Sequence, residues 1–130
     1  MSPVRSARSP LSPPPPAGFG VAIRIDASSG RTVAHGTFRI PRADADALGG
    51  SAQRALVAVA AVEGRVAAWR VWGEQATFED DEDRGPSTVQ GHFAFDLDEA
   101  FPLGAGERAW LHVVLGAHAS DVATWGGAHR

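Results

Sequence analysis

Histidine is the first residue type in this sequence that could bind a metal or move a proton. Five are present, at His35, His92, His112, His118 and His129. Alternation along a strand puts His92 and His112 on the polar faces of two predicted strands, and His118 follows the second of them. If those strands paired, the three imidazoles could converge on a zinc ion, which needs about three ligands at roughly 2.0–2.2 Å. The alternative is a set of histidines spread over solvated sheet faces.

Two acidic segments could bind calcium, at residues 79–83 and 96–99. Calcium takes about six to eight oxygen ligands, and a calcium loop spaces those ligands around a sharp turn at glycine. Consecutive acids between two strands point in different directions and repel, so a solvated connector is the favoured interpretation. The carboxylates that remain as weak metal candidates are Asp80, Asp81, Asp83, Asp96 and Asp98.

A nucleophile with a supporting base is harder to find. The chain has no cysteine, which excludes a disulfide framework, a thiolate zinc site and a cysteine nucleophile. It has no glycine-rich phosphate loop that opens a helix, no Gly-x-Ser-x-Gly sequence and no His-Glu-x-x-His sequence. Ser120 lies between His118 and Asp121, but neighbours on one short turn are poorly placed to form a relay. We therefore expect no catalytic residues and no cofactor.

Tryptophan points most directly to binding, because it supplies a large contact area at low entropic cost. Trp72 shares a predicted strand face with Arg70, and Trp110 shares one with His112. The opposite face of the second strand carries leucine and valine, so Trp110 should point outward if that face is the core. The alternative is burial of the indoles between two sheets, since tryptophan is highly buried on average. The predicted partner-binding residues are Trp72, Trp110, Arg70, His92 and His112.

Short strands separated by turns have to position these side chains. Alternating or apolar segments predict strands at residues 20–26, 32–40, 54–62, 66–72, 76–78, 87–97, 108–115 and 121–125. Residues 54–62 are apolar on both faces, which suits a central strand covered on both sides or a short buried helix. The loop at 98–106 contains Phe101-Pro102-Leu103, which could close one end of the core. Seven or eight strands at this spacing predict an all-β fold, a single antiparallel β-sandwich that is immunoglobulin-like or similar.

The N-terminal segment differs in composition from the rest of the chain. Residues 1–17 contain six of the nine prolines, no glycine and no acid. With so little apolar surface to offset the entropy of ordering, we predict a disordered proline-rich tail that ends in a polyproline II spacer at residues 13–16. A ligand for an aromatic-grooved domain is the alternative. The predicted boundaries are 1–17 for the tail, 18–126 for the sandwich and 127–130 for a frayed C-terminus.

Length and charge narrow the class of partner. The chain has 130 residues, enough for one domain, and a net charge of −3, which does not suit a nucleic-acid partner. It has no apolar run of the roughly 18–20 residues that span a membrane and no secretory signal, so we expect a cytoplasmic protein. Twelve arginines without lysine, together with abundant alanine and glycine, indicate a GC-rich bacterial genome.

These observations predict a small, soluble, non-enzymatic binding or accessory module. It would recognise another protein through a sheet face or an edge strand, and an uncovered edge could pair two copies as a homodimer. The first alternative is a carbohydrate-binding, lectin-like module that uses Trp72 and Trp110, with calcium at the acidic segments. The second alternative is a small metal-dependent enzyme centred on His92, His112 and His118.

Overall fold

A computed structural model describes residues 12–27, 30–49, 55–62, 64–72, 76–81 and 85–127. It shows two antiparallel sheets packed against each other, which confirms the predicted all-β sandwich. The elements are, in chain order, β1 (Gly20–Asp26), β2 (Val33–Pro41), α1 (Arg42–Ala47), β3 (Ala55–Val62), β4 (Arg65–Trp72), β5 (Ala76–Asp81), β6 (Gly85–Asp96), α2 (Leu97–Ala100), β7 (Arg108–Leu115), β8 (His118–Ala119) and β9 (Ala123–Gly126).

The strands divide between a four-stranded and a five-stranded sheet. The four-stranded sheet has the order β1-β2-β6-β5. In the five-stranded sheet the order is β4-β3-β7, and β8 and β9 both pair with the remaining edge of β7. Neither of the helices in the described ranges is long and apolar enough to cross a membrane.

The core forms between the two inner faces, and phenyl rings fill much of it in the four-stranded sheet. Phe93 pairs with Gly36, and Phe38 pairs with Gly91, across the β2–β6 ladder. A Cβ atom on Gly36 would come within 2.0 Å of the Phe93 ring, and one on Gly91 within 1.8 Å of the backbone oxygen of Thr77. Glycine is required at both positions, because a ring or a neighbouring backbone occupies the space of its side chain.

β3 is a strand, one of the two structures predicted for this segment, but only one of its faces is packed. Leu56, Ala58 and Ala60 are buried against the opposite sheet, whereas Val57 and Val59 are only partly buried. Within the described part of the chain, the expectation of cover on both faces is wrong. The second apolar face of β3 belongs to the outer surface of the sandwich.

α2 and the turn after it close one end of the core. The Asp96 carboxylate caps the helix by accepting hydrogen bonds from the N–H groups of Asp98 and Glu99, at 2.8 and 3.2 Å. The following turn buries Phe101 beside Trp125, with ring centroids 6.3 Å apart. This position agrees with the predicted closing role of Phe101.

Residues 12–17, the end of the predicted tail, lie against the outer face of β2. Pro13 is buried, and the carbonyl oxygens of Pro14 and Pro16 accept hydrogen bonds from Thr37 and Arg39. The tail prediction rested on low apolar content, whereas these contacts are hydrogen bonds to side chains, which composition does not report. The remaining parts of the predicted tail and frayed C-terminus, at 1–11 and 128–130, lie outside the described residues, and the domain boundaries stay a prediction.

Candidate functional site

The outer face of the five-stranded sheet is largely apolar. Three cross-strand rows run over β4, β3 and β7: Val66–Ala61–Trp110, Ala68–Val59–His112 and Arg70–Val57–Val114. Only His112 and Arg70 in these rows carry polar or charged side chains. We call these nine residues, together with Val122 beside them, the Val–Trp face.

Three large side chains of the Val–Trp face project into solvent. Val66 is 72% exposed, Trp110 is 63% exposed and Val122 is 59% exposed. Single exposed apolar residues are common on soluble proteins, but a contiguous apolar patch marks a binding surface. The rows place such side chains on adjacent strands, so this face has the character of a patch.

A shallow depression lies beside the Trp110 indole. Its volume is about 100 Å³, and it is lined by Val59, Ala61, Trp110, Leu111, His112 and Val122. A drug-sized ligand needs a pocket of about 300–1,000 Å³. The depression therefore suits one side chain of a partner rather than a small molecule.

A bulge between β8 and β9 holds Val122 on the Val–Trp face. Residues 120–122 oppose only two residues of β7 at this point. The N–H of Ser120 donates to the Val113 carbonyl, and Ser120 Oγ accepts from the Val113 N–H, both at 2.9 Å. The hydroxyl donates in turn to the Asp121 carbonyl at 2.9 Å. Ser120 thus replaces a backbone partner at the bulge, and its hydroxyl is engaged there rather than presented as a nucleophile.

Three of the predicted binding residues share this face. Trp110 and His112 project from β7, and Arg70 projects from β4. The outward position of Trp110 follows from the alternation with the buried leucine and valine residues of the same strand. The backbone of Trp72 pairs with Ala55 two residues beyond Arg70, and its side chain lies outside the described part of the chain.

His92, the remaining predicted residue with a described side chain, lies on the other side of the sandwich. It belongs to β6 of the four-stranded sheet and pairs with Thr37, whereas His112 belongs to β7 of the five-stranded sheet. His118 Nε2 lies 2.8 Å from Asp44 Oδ2 of α1. The strand pairing that would bring the three imidazoles together does not occur, because alternation shows which face a residue takes but not which sheet its strand joins.

Two of the weak metal candidates have other partners. Asp96 caps α2 and lies 3.1 Å from the Arg31 guanidinium, and Asp98 Oδ2 accepts from the Thr32 N–H at 3.1 Å. Among residues with described positions, no group of three or more histidine, aspartate or glutamate side chains could hold a metal ion. Asp83 lies outside the described residues, and so do the side chains of Asp80 and Asp81.

The outer face of the four-stranded sheet is polar along β2 and well covered. His35, Thr37 and Arg39 are only 8%, 1% and 9% exposed. His35 Nδ1 is buried and has no hydrogen-bond partner among the described residues. Burial lowers the pKa of His35, while the Asp26 carboxylate raises it and the Arg24 guanidinium lowers it. Sequence reasoning passed over this row, because alternation assigns it to a face that is ordinarily solvated.

No protein-family model, no curated protein and no solved structure matches the chain.

Proposed function

We propose that the protein is a small non-enzymatic binding module that recognises another protein through the Val–Trp face. The observation that carries the proposal is the exposure of Trp110 among valine and alanine side chains on adjacent strands. Burial of apolar surface contributes about 25 cal/mol per Å². Covering this face would therefore drive association without a change of fold.

The Val–Trp face resembles a protein interface in its chemistry. Interface cores are depleted in charge and enriched in aromatic residues and arginine, and a few central residues contribute most of the binding energy. Trp110 and the depression beside it supply an aromatic anchor and a pocket for a partner side chain. Arg70 and His112 add polar contacts that can fix the orientation of the partner. We expect Trp110 to dominate the affinity.

Carbohydrate binding is the second candidate, because the exposed indole of Trp110 lies on the face of a sheet. A sugar site also needs polar groups beside the ring to bond the hydroxyls. The cross-strand neighbours of Trp110 are Ala61 and Thr124, which offer one hydroxyl between them, and His112 adds one imidazole along the same strand. This apolar surrounding favours a protein partner.

The immunoglobulin-like assignment and the homodimer through an edge strand stay proposals for the same module. We infer a cytoplasmic bacterial protein from composition, since a chain without cysteine is compatible with a reducing compartment.

A photo-crosslinking residue at two exposed positions tests the proposal in cells of the source organism. Benzoylphenylalanine in place of Val66 samples the Val–Trp face. The same residue in place of Ala105, which is exposed in the turn before β7, is the control. We expect a discrete protein adduct from position 66 and none from position 105.

The purified adduct partner then allows a direct affinity measurement. Trp110→Ala should weaken binding at least about tenfold, the effect of losing an interface hot spot. Thr77→Ala should leave the affinity unchanged. Affinity that survives Trp110→Ala combined with Val66→Ser contradicts the proposal. Capture of a glycan that depends on Trp110, with no protein adduct, would favour the second candidate instead.

A further inference from the structure

The outer face of β2, on the opposite side of the sandwich from the Val–Trp face, carries buried polar side chains. Thr37 and Arg39 are more than nine-tenths buried there, although they occupy outward positions on a sheet. Their cover is the proline-rich segment, in which Pro13 is buried and Pro16 is half-buried. Polar side chains on this face are therefore shielded from water by the chain's own N-terminal part.

Two side-chain donors of β2 meet two carbonyl oxygens of that segment. Thr37 Oγ1 donates to the Pro14 carbonyl at 3.2 Å, and Arg39 Nη1 donates to the Pro16 carbonyl at 2.5 Å. The proline-rich segment and β2 each advance by two residues between these two hydrogen bonds. Two residues rise about 6.2 Å in polyproline II and about 6.6–6.8 Å in a strand, so the repeats nearly match.

Proline is well suited to this arrangement. A polyproline II segment makes no internal hydrogen bonds, so its carbonyl oxygens can accept from a neighbour, and a prolyl nitrogen has no hydrogen that needs an acceptor. The ring also holds the backbone near its bound conformation, which lowers the entropic cost of docking. A buried guanidinium such as that of Arg39 needs acceptors, and the Pro16 carbonyl supplies one.

A third position of the same row is only partly used. His35 precedes Thr37 by two residues, and its buried Nδ1 has no hydrogen-bond partner in the described part of the chain. Pro14 lies opposite Thr37, and Pro16 lies opposite Arg39. One further step of two residues towards the N-terminus on both segments brings residue 12 opposite His35. The chain's own segment thus leaves a buried polar atom of the row unsatisfied, and a competing segment can bond to it.

We propose that the row His35, Thr37 and Arg39, which we call the polyproline track, is a binding site for proline-rich peptides. Residues 13–16 of the same chain occupy the track in cis. A proline-rich segment of another molecule binds by displacing them, and its carbonyl oxygens accept the same hydrogen bonds from Thr37 and Arg39. The track and the Val–Trp face lie on different sheets, so this proposal does not depend on the proposed function.

Tethering sets the concentration that a competing peptide must exceed. A short flexible linker gives an intramolecular partner an effective concentration in roughly the millimolar range, and only residues 17–19 separate the segment from β1. A free peptide should therefore bind the wild-type chain at millimolar concentrations. Pro14→Gly with Pro16→Gly should open the track, because glycine removes the fixed φ that favours polyproline II.

A nuclear magnetic resonance titration of the full chain with the peptide SPLSPPPPAG, which copies residues 9–18, tests the proposal. The reporters are the backbone amide of Thr37 and the Nε–Hε group of Arg39. We expect the double-glycine variant to bind the peptide at least about tenfold more tightly than the wild-type chain. A peptide with alanine at its four consecutive prolines should not bind.

Side-chain variants of the double-glycine chain identify the donors. Thr37→Val and Arg39→Met should each weaken binding about tenfold, as expected for the loss of a buried hydrogen bond. Arg108→Met, at an exposed position on β7 of the other sheet, is the matched control and should not change the affinity. Equal losses in all three variants would contradict the proposed contacts.

The wild-type titration decides the matter if the double-glycine variant does not fold. Saturable shifts of Thr37 and Arg39 in the wild-type chain, absent with the alanine peptide, support the track. If neither resonance shifts up to about 10 mM peptide, a concentration comparable with the effective concentration of the tethered segment, the proposal is overturned. Equal shifts with the alanine peptide overturn it as well.

Discussion

The outer faces of the two sheets differ in both chemistry and cover. On the four-stranded sheet, β2 presents a polar row, and a segment of the same chain forms hydrogen bonds to it. On the five-stranded sheet, β3 presents valine and alanine, and no segment in the described ranges lies over them. Buried polar groups need specific partners, whereas exposed apolar groups only forgo the free energy of burial. Thr37 and Arg39 therefore find partners within the chain, whereas burial of the apolar face requires the second molecule that we propose.

Our two proposals would assign a different kind of recognition to each face. Recognition at the polyproline track would depend on the spacing and direction of the hydrogen bonds from Thr37 and Arg39. The Val–Trp face depends on apolar area and on one depression beside Trp110, so its selectivity must come from shape and from the polar groups of Arg70 and His112. Substitutions on the covered face should therefore affect folding as well as peptide binding, whereas substitutions on the Val–Trp face should affect binding with little effect on folding.

The largest effect should come from adding one methyl group to the packed four-stranded sheet. Gly91→Ala would place a Cβ atom 1.8 Å from the backbone oxygen of Thr77 and 2.5 Å from the Phe38 ring, which disturbs the β5–β6 pairing. We expect a loss of about 3 kcal/mol or more, the upper range for overpacking, in the free energy of unfolding from urea titration. The counterpart, Ala68→Val on the Val–Trp face, adds two methyl groups in open space and should change that free energy by less than about 0.5 kcal/mol. Comparable losses in both variants would show that the Val–Trp face is also packed.

A matched pair of arginines should give an intermediate effect. Arg39 is buried under the proline-rich segment and donates to Pro16, while Arg70 is exposed on the Val–Trp face. Arg39→Met should lower the free energy of unfolding by about 1.5–3 kcal/mol, as for loss of a hydrogen bond from a charged group. Arg70→Met should lower it by less than about 1 kcal/mol, because exposed charges contribute little. If Arg70→Met were the more damaging change, the distinction between a covered and an open face would not hold.

The difference between the faces also explains which features the sequence could predict. The outward position of Trp110 followed from the alternation of buried leucines and valines along its strand, a pattern that reports local orientation directly. The partial exposure of Val57 and Val59 could not be predicted, because a strand that is apolar on both faces has the same sequence pattern whether or not a second layer covers it. The separation of His92 from His112 was equally hidden, since it depends on which strands share a sheet.

The docking of the proline-rich segment could not be read from the sequence for a different reason. Composition measures how much apolar surface a segment can bury, and by that measure residues 12–17 have little reason to order. Their contacts are instead hydrogen bonds from Thr37 and Arg39, which lie 23 residues away along the chain. A contact with donors so far along the chain cannot be predicted until the position of their strand in the sheet is known.

The smallest effect should come from the buried histidine of the covered face. Burial lowers the pKa of His35 below the value of about 6.5 that it regains on unfolding. Below about pH 6.5, and down to the lowered pKa, the unfolded chain therefore binds more protons than the folded chain, so the free energy of unfolding falls as the pH drops through this window. Above the window the imidazole is neutral in both states, and below it the loss is complete.

Urea titrations at several pH values and constant ionic strength measure this dependence. His35→Gln should reduce the fall in the free energy of unfolding between about pH 7.5 and 5, since glutamine does not titrate there. The Asp26 and Arg24 charges act on His35 with opposite signs, so burial under the covered face has to supply the net direction. A fall in the free energy of unfolding that persists in full with His35→Gln would show that the covered face does not desolvate this imidazole, and the contrast between the two faces would lose that support.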